Sequence, residues 1–401
     1  MDKLEQMVIY LIGIGNKKNP SFSPEVEALV KAGYYYSGGT RHYELVQDLL
    51  PAKHHWIPIK GKMENLVQKY RSLNASILIF VSGDPFFYGF GNTLKRLMPT
   101  TCLKAYPTFN CLQLLCHKKQ VAYNELLAVS LHGRPWKKLD EVLRSDQSLI
   151  GILTDAQHSP AHIAQRMLRY GVDNYKMLVG ENLGGDDEQI STLELKEASN
   201  YKAASLNCVL LIRTQSRKLA LSQPDNTFKT LAGRPKMITK MPLRLLNVQL
   251  LELHKANTFW DIGSCTGAIA IDAKRHYPHL EVLAIEKRLE CGAIIQQNCE
   301  QQQTSGIEVL IHDFFDLDLA TFPTPQSVFI GGHGGRLETL IKQLDAYLIE
   351  GATVVMNTVL ESSLNTFLAT FGHLNYSLSD KMKLVIDDHN TIHVLVAKKN
   401  K

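Results

Sequence analysis

Short apolar runs alternate along this chain with segments whose apolar residues recur at helical spacing. Residues 7–12 and 76–81 have the length and β-branched content of buried strands. Between them lies a typical helix start, with Ser23 as the N-cap, Pro24 at the first helical position and Gly33 after the last turn. Strands that alternate with helices in this way predict an α/β fold.

The periodic pattern lapses between Thr214 and Thr239, where polar residues, prolines and glycines predominate. Such a composition is typical of a linker between domains. A chain of 401 residues is also long for a single core. We therefore predict an N-terminal domain over residues 1–213, a linker over 214–238 and a C-terminal domain over 239–401.

The C-terminal half contains a strand that ends near Asp261 and runs into the glycine-rich residues 263–267 before a helix. Glycine lets the backbone approach a nucleotide, and the first helical N–H groups point at the ligand. The spacing does not fit the dinucleotide fingerprint G-x-G-x-x-G. The next strand ends in Glu286, whose carboxylate can accept hydrogen bonds from both ribose hydroxyls. This pattern resembles the class I methyltransferases, which bind S-adenosylmethionine (SAM).

Two later strand ends refine the prediction. Asp313 can accept a hydrogen bond from the adenine amino group, and the N–H of Phe314 can reach a ring nitrogen. Methyltransferases that act on base amines place an Asn/Asp-Pro-Pro-aromatic motif after the fourth strand, where this chain has residues 331–335, four glycines around His333. Such a run predicts a nest of backbone N–H groups for carboxylates.

The same glycine run, together with residues 239–244 before a leucine-rich helix, resembles the C15-methylating, decarboxylating corrin methyltransferase family. The resemblance implies that Thr239 approaches SAM and that Arg244 faces the substrate, although Met241 and Pro242 replace the acidic residues usual there. A second interpretation is that the stem of Arg244 only covers the apolar face of the helix. His333 is interpreted either as a proton donor or as a loop histidine facing solvent.

The N-terminal half resembles the tetrapyrrole methylase family, whose two glycine loops line a SAM cleft. The loops correspond here to residues 13–15 after the first strand and 82–85 after a later one, although the second loop could also be a plain β-turn. Residues around Arg41, and the strings 130–134 and 179–184, resemble the C5-methylating branch of that family. Two different SAM domains in one chain imply a bifunctional enzyme of corrin synthesis.

The predicted fold is therefore α/β, with a tetrapyrrole methylase (class III) domain of two α/β halves and a Rossmann-like class I domain, each holding one SAM. The predicted SAM contacts are Gly13, Gly15, Ser82, Gly83, Asp84, Pro85, Thr239, Asp261, Gly263, Ser264, Cys265, Thr266, Gly267, Glu286, Asp313 and Phe314. The predicted substrate contacts are Arg41, His132, Arg134, Gly331, Gly332, Gly334 and Gly335. The predicted catalytic residues are Arg244, His333 and Arg336.

Composition limits the alternatives. A net charge of +5 without a dense basic block gives no sign of a nucleic-acid partner. The sequence shows neither a membrane-spanning run nor a signal peptide, so we expect a cytoplasmic protein. Seven cysteines without a CxxC pair predict free thiols and no metal site.

The family resemblance implies a homo-oligomer. The alternatives are an RNA or protein methyltransferase with an appended binding domain, and a non-catalytic sensor of SAM or a tetrapyrrole.

Overall fold

The computed structural model describes residues 7–217, 220–379, 382–386 and 391–401. The start of the chain, where the sequence predicts no signal peptide, and Lys218 of the predicted linker lie outside the described residues. The chain divides into two compact units. The first comprises Met1–Arg134, Ser148–Gln165 and Tyr175–Thr214, and the second comprises Pro135–Gln147, Arg166–Asn174 and Gln215–Lys401.

The first unit begins with a five-stranded sheet in the order β3-β2-β4-β1-β5, in which every described pair is parallel. Its strands are β1 (Val8–Ile14), β2 (Tyr35–Gly38), β3 (His55–Pro58), β4 (Ile77–Ser82) and β5 (Cys102–Tyr106). The helices between them are α1 (Pro24–Ala32), α2 (Thr40–Val46), α3 (Met63–Ser72) and α4 (Phe90–Leu97). The predicted start of α1 is confirmed, because Ser23 Oγ accepts a hydrogen bond from Val26 N at 3.4 Å.

The second sheet has the order β6-β7-β10-β8-β9 and is mostly antiparallel, with only β6 and β7 parallel to each other. Its strands are β6 (Leu126–Ser130), β7 (Leu149–Leu153), β8 (Tyr175–Glu181), β9 (Gln189–Glu194) and β10 (Asn207–Arg213). The accompanying helices are α5 (Cys111–Lys119), α6 (Lys137–Arg144), α7 (Pro160–Arg169) and α8 (Leu195–Ala198). Helix α6 and the end of α7 belong to the second unit.

The second unit contains a sheet in the order β13-β12-β11-β14-β15-β18-β16, with β17 also paired to β18. Its strands are β11 (Thr258–Ile262), β12 (Glu281–Glu286), β13 (Ile307–Ile311), β14 (Ser327–Ile330), β15 (Thr353–Thr358), β16 (Tyr376–Leu378), β17 (Met382–Leu384) and β18 (Ile392–Lys399). Its other helices are α9 (Met241–Leu250), α10 (Ala268–His276), α11 (Leu289–Gln301), α12 (Leu337–Asp345) and α13 (Glu361–Gly372). Strands β11 to β15 are parallel, and β18 runs antiparallel to β15.

Helices cover both faces of this third sheet, which explains why all five residues of β11 are buried. Trp260 and Ile262 pack with residues of α12 and α13, whereas Phe259 packs with residues of α9 and α10. Successive side chains of a strand point to opposite faces, so a strand with two covered faces is buried at every position. The predicted α/β class with parallel sheets is confirmed. The domain boundaries and the two methyltransferase domain types stay predictions.

Among the described residues, no helix is long and apolar enough to cross a membrane.

Candidate functional site

The candidate site of the second unit is a cavity of about 500 Å³ at the carboxyl ends of β11 to β15. This volume lies within the range of small-molecule sites. The strand order reverses between β11 and β14, and ligands of open α/β sheets bind at such a reversal. The fold therefore places the cavity where its topology favours a nucleotide-like ligand.

The turn after β11 requires glycine at its first position. Gly263 has φ +72°, and a Cβ atom there would lie 2.5 Å from the backbone nitrogen of Gly332. Gly267, at φ +74°, is the N-cap of α10 and provides no side-chain cap, and the N–H of Ala270 in the first helical turn donates to Asp261 instead. The two glycines thus allow close approach of two loops, and Ala268 and Ile269 of the first helical turn line the cavity.

The side chain of Asp261 stabilises this turn through two hydrogen bonds. Its Oδ2 accepts hydrogen bonds from Ser264 Oγ at 2.7 Å and from Ala270 N at 3.2 Å, and its side chain is buried. Burial, with a smaller contribution from the nearby Glu286 carboxylate, raises the pKa of Asp261 to about 7, although the two hydrogen bonds oppose the shift. Asp261 therefore fixes the loop as well as lining the cavity.

The raised pKa of Asp261 predicts a pH-dependent stability. The unfolded carboxyl group, with a pKa of about 3.9, loses its proton before the folded one, with a pKa of about 7. The contribution of this group to the free energy of unfolding is therefore complete below about pH 4 and is lost as the pH rises to about 7. Asp261→Asn cannot ionise, so we expect its thermal unfolding midpoint, relative to that of wild type, to rise as the pH increases from 5 to 8. A difference that stays constant over this range would contradict the assignment.

Glu286 is held at the end of β12 by backbone donors. Its Oε1 accepts from Lys287 N at 2.9 Å and Arg288 N at 3.0 Å, and its Oε2 accepts from Cys265 N at 3.0 Å. The guanidinium of Arg288 lies 3.3 Å from both oxygens. A carboxylate offers about four acceptor sites, and the three backbone bonds with the guanidinium contacts already use them, so a ligand hydroxyl can bind Glu286 only in place of the Arg288 guanidinium.

Three possible metal-ligating groups meet near this carboxylate, since atoms of Cys265, Glu286 and Cys291 lie within 4.8 Å of one another. Burial, with the nearby Glu286 carboxylate adding to it, raises the pKa of the Cys265 thiol and raises that of Cys291 to about 12. Metal ions bind thiolates, and these thiols are protonated at neutral pH. The sequence-based expectation of no metal stays a prediction.

Asp313 and Arg336 form an ion pair at the adenine side of the expected site. Arg336 Nη2 donates to Asp313 Oδ2 at 2.5 Å, and the guanidinium lies 3.7 Å from the ring centre of Phe315. Asp313 Oδ1 accepts from Phe315 N at 3.2 Å. Arg336 therefore lines the cavity beside the end of β13, where it restrains the carboxylate predicted to contact adenine.

The expected glycine nest is corrected in part. The N–H groups of Gly331 and Gly332 both donate to the carbonyl oxygen of Ile262, at 2.8 and 3.2 Å, so they are not available to a substrate carboxylate. Gly335 is not among the residues that line the cavity. These two N–H groups tie β14 to β11, because the strand pairing extends one step into the loop.

His333 lines the cavity and is half-buried, so its two interpretations stay predictions. Its Nε2 lies 3.3 Å from Ser363 Oγ, and its Nδ1 has no hydrogen-bond partner among the described residues. Burial lowers the pKa of His333, which favours a neutral ring at pH 7. A neutral imidazole can donate or accept one hydrogen bond at Nδ1, as its tautomer allows.

The expectation that Arg244 faces the substrate is corrected, because this side chain is fully buried and does not line the cavity. Its Nε donates to Asp272 Oδ2 at 2.8 Å, and its Nη1 donates to Asp225 Oδ1 at 2.5 Å. The remaining N–H groups donate to the hydroxyl of Ser222 and to backbone oxygens of Gln223 and Thr239. All five guanidinium donors are thereby used inside the protein. Arg244 joins α9 to α10 and to the preceding segment.

Most predicted residues of this half meet at the one cavity. Those that line it are Thr239, Asp261, Gly263, Ser264, Cys265, Thr266, Glu286, Asp313, Phe314, Gly331, Gly332, His333, Gly334 and Arg336. Arg244, Gly267 and Gly335 do not. Sequence reasoning missed Asn357 at the end of β15, which lines the cavity and whose two side-chain polar atoms have no hydrogen-bond partner in the described part of the chain.

The first unit has its own cavity, of about 470 Å³, next to the ends of β1 and β4. Gly13 itself does not line it, but a Cβ atom at this position would lie 1.9 Å from the carbonyl oxygen of Gly83. Gly83 has φ +61°, and a Cβ there would come within 2.9 Å of the Asn110 backbone. Both glycines are therefore required for the close approach of the loops that form the cavity wall.

Only part of the predicted N-terminal set lines this cavity, namely Gly15, Arg41, Ser82, Gly83 and His132. Asp84 and Pro85 do not, and Asp84 Oδ1 instead accepts from Phe86 N at 2.8 Å, which supports the interpretation as a turn. Arg134 is also absent from the lining. Its guanidinium lies 5.1 Å from the ring centre of Tyr88, which does line the cavity. The expected direct roles of Gly13, Asp84, Pro85 and Arg134 are therefore corrected to roles in the surrounding wall.

Sequence reasoning also missed Asn16 and His42, which line this cavity beside Arg41 and Ser82. Both residues directly neighbour a predicted site residue in the sequence. A polar side chain next to a glycine turn was the available signal.

Comparisons with known proteins agree over both halves. A family model described as a precorrin methyltransferase domain matches residues 233–380. A precorrin-6Y C(5,15)-methyltransferase (decarboxylating) from Sinorhizobium sp is 27% identical, over 87% of this chain and 84% of the relative. A cobalt-precorrin-6B C(15)-methyltransferase (decarboxylating) from Salmonella typhimurium is 30% identical, over 38% of this chain and 79% of the relative. A cobalt-precorrin-7 C(5)-methyltransferase from the same organism is 29% identical, over 34% of this chain and 65% of the relative.

Proposed function

Because this chain belongs to the family of decarboxylating precorrin C5,15-methyltransferases, we propose that it methylates a corrin precursor at C5 and C15 and decarboxylates its C12 acetate side chain, in cobalamin biosynthesis. It is a SAM-dependent C-methyltransferase. The observation that carries the proposal is the pair of similar cavities, one in each unit, each built around a glycine turn at strand ends. An RNA or protein methyltransferase is not favoured, because the relatives are named for precorrins.

We assign SAM to the half of the C-terminal cavity beside β11, β12 and β13. The residues fit this ligand, because the close approach at Gly263 and the first turn of α10 form a cradle that a larger side chain would fill. In the proposal, Glu286 accepts from the ribose hydroxyls and Asp313 from the adenine amino group. SAM, when bound, supplies an electrophilic methyl group.

The other half of the cavity, beside the ends of β14 and β15, is left for the tetrapyrrole. His333 and Asn357 line this half and carry polar atoms that have no partner among the described residues. We propose that they orient the acetate carboxylate through neutral hydrogen bonds. A neutral site stabilises the carboxylate less than a cation does, so loss of CO₂ meets a smaller ground-state penalty. The meso carbon is an enamine-like nucleophile, so orientation is the main requirement for methyl transfer.

We propose that the first unit binds the second SAM molecule and methylates C5. Its cavity is lined by the glycine loops at Gly15 and Gly83 and by the cation Arg41. The assignment of one SAM per unit predicts a calorimetric stoichiometry of two per chain. A stoichiometry of one would contradict the SAM site assigned to one of the two units. Variants of the glycines in each loop would then identify the unit that does not bind SAM.

The proposed function is tested by mass spectrometry after incubation of the purified chain with SAM and the reduced precorrin-6 intermediate. Metal-free and cobalt-bound substrates are used in parallel, since the proposal leaves the metal state open. We expect a gain of two methyl groups and loss of one CO₂ with one of the two substrates. No change in mass with either substrate, in a protein that binds SAM, would contradict the proposal. Sedimentation velocity on the same sample tests the implied homo-oligomer.

A further inference from the structure

A connected cluster of polar side chains lies on the wall of the N-terminal cavity. Arg41 Nη1 donates to Asn16 Oδ1 at 2.6 Å, and Arg41 Nη2 donates to Ser82 Oγ at 2.6 Å. His42 Nε2 lies 3.0 Å from the same hydroxyl oxygen. All four side chains line the cavity, and Ser82 is the most exposed of them.

The hydrogen bonds fix the tautomer of His42. The backbone N–H of Gly39 donates to His42 Nδ1 at 3.2 Å, so this nitrogen acts as an acceptor and carries no proton. Burial, and secondarily the charge of Arg41, lowers the pKa of His42 to about 4, so the ring is neutral at pH 7. The single ring proton is therefore on Nε2, which donates to Ser82 Oγ.

The Ser82 hydroxyl can act toward a ligand only as a hydrogen-bond donor. Its oxygen accepts from Arg41 and from His42, which uses both of its lone pairs. Its own O–H makes no hydrogen bond to any other described residue, so it is free to point into the cavity. His42 thereby converts a hydroxyl group that could donate or accept into one that only donates.

The ligand that this cluster suits is an anion. Arg41 forms no ion pair with a carboxylate in the described part of the chain, although it is half-buried, and burial lowers its pKa. A partly desolvated cation next to an oriented O–H donor recognises a carboxylate. Carboxylates occur both on the side chains of a tetrapyrrole and on the methionine part of SAM.

Resting on the proposed function, we propose that His42 is a positioning residue for methyl transfer at C5: together with Arg41, it aims the Ser82 O–H at a carboxylate of the bound ligand. His42 itself does not touch the reacting atoms. Its effect passes through the orientation of Ser82.

Two near-isosteric variants test this role. His42→Gln can place an N–H donor near the position of Nε2, whereas His42→Asn reaches only the position of Nδ1 and loses the donor to Ser82. We expect His42→Asn to lower kcat/KM for C5 methylation by ~10–100-fold, as loss of an oriented hydrogen bond to a charged group does. We expect His42→Gln to recover activity to within about fivefold of wild type. Ser82→Ala should match His42→Asn, and the double variant should be no worse than Ser82→Ala.

The C15 methylation and decarboxylation in the same product serve as the internal control, because they are assigned to the other unit. A raised KM for the tetrapyrrole with unchanged SAM affinity assigns the carboxylate to the substrate, whereas weaker SAM binding assigns it to the cofactor. The inference is overturned if His42→Asn keeps C5 activity within threefold of wild type. It is also overturned if both variants lose activity equally along with thermal stability. If the wild-type chain leaves precorrin unchanged, the proposed function itself is contradicted, and the inference about His42 loses its basis.

Discussion

Glu286→Gln is expected to weaken SAM binding at the C-terminal cavity by about 100-fold, which corresponds to about 3 kcal/mol. The variant has almost the same shape, but its amide NH₂ must face one of the backbone donors at Cys265, Lys287 or Arg288. It also loses the charge that strengthens the proposed bonds to the ribose hydroxyls. We therefore expect a product that has gained one methyl group and has kept its carboxyl group, because only the N-terminal unit remains active.

The matched control is Glu281→Gln, at the other end of the same strand, where the side chain is exposed and pairs with Lys137. This variant should retain both methylations. Calorimetry should give two SAM sites per chain for the control and one for Glu286→Gln at the same concentrations. Full C15 methylation by Glu286→Gln would show that this carboxylate does not bind the cofactor.

Arg244→Met is expected to destabilise the second unit by about 3–5 kcal/mol, because it leaves Asp272 buried without its cationic partner. Asp272 is fully buried, and Asp225, the second partner, is one-quarter exposed. Breaking a buried pair on one side costs far more than losing an exposed pair. The measurement is the free energy of unfolding by urea, followed in parallel with SAM affinity of the remaining folded protein.

Two controls separate a structural role from a role at the substrate. Lys342→Ala removes the exposed pair with Glu338 and should leave the free energy of unfolding nearly unchanged. Arg244→Met/Asp272→Asn removes both charges and should be less destabilised than the sum of the single variants. If Arg244→Met instead retained full stability and lost only C15 activity, the substrate contact first expected from the sequence would be restored.

The α/β class with parallel sheets could be predicted from the sequence, because local patterns decide it. The strand ends predicted just before Asp313 and Gly331 match the observed ends of β13 and β14. The positions of Gly263 and Glu286 were also predictable, since the turn after β11 needs glycine and the tip of β12 needs an acceptor. These features depend on neighbours in the sequence and on the known geometry of a parallel sheet.

The roles of individual polar residues could not be predicted in the same way. Arg244 and Arg336 are both cations at the start of a helix, yet one is enclosed by Asp225 and Asp272 and the other lies on Phe315. A motif gives the position of a cation but not its counter-charge, which comes here from a distant segment of the chain.

The alternation of strands and helices, the glycine turns and the acidic strand ends can be read from local sequence, because each follows from backbone geometry over a few residues. Which hydrogen-bond donors remain available to a ligand depends on the folded arrangement of distant segments. The N–H groups of Gly331 and Gly332 are used by Ile262, whereas the hydroxyl proton of Ser82 is left free by Arg41 and His42. A donor is available to a ligand only if no acceptor of the protein already binds it. The acceptors come from parts of the chain that meet only when it folds.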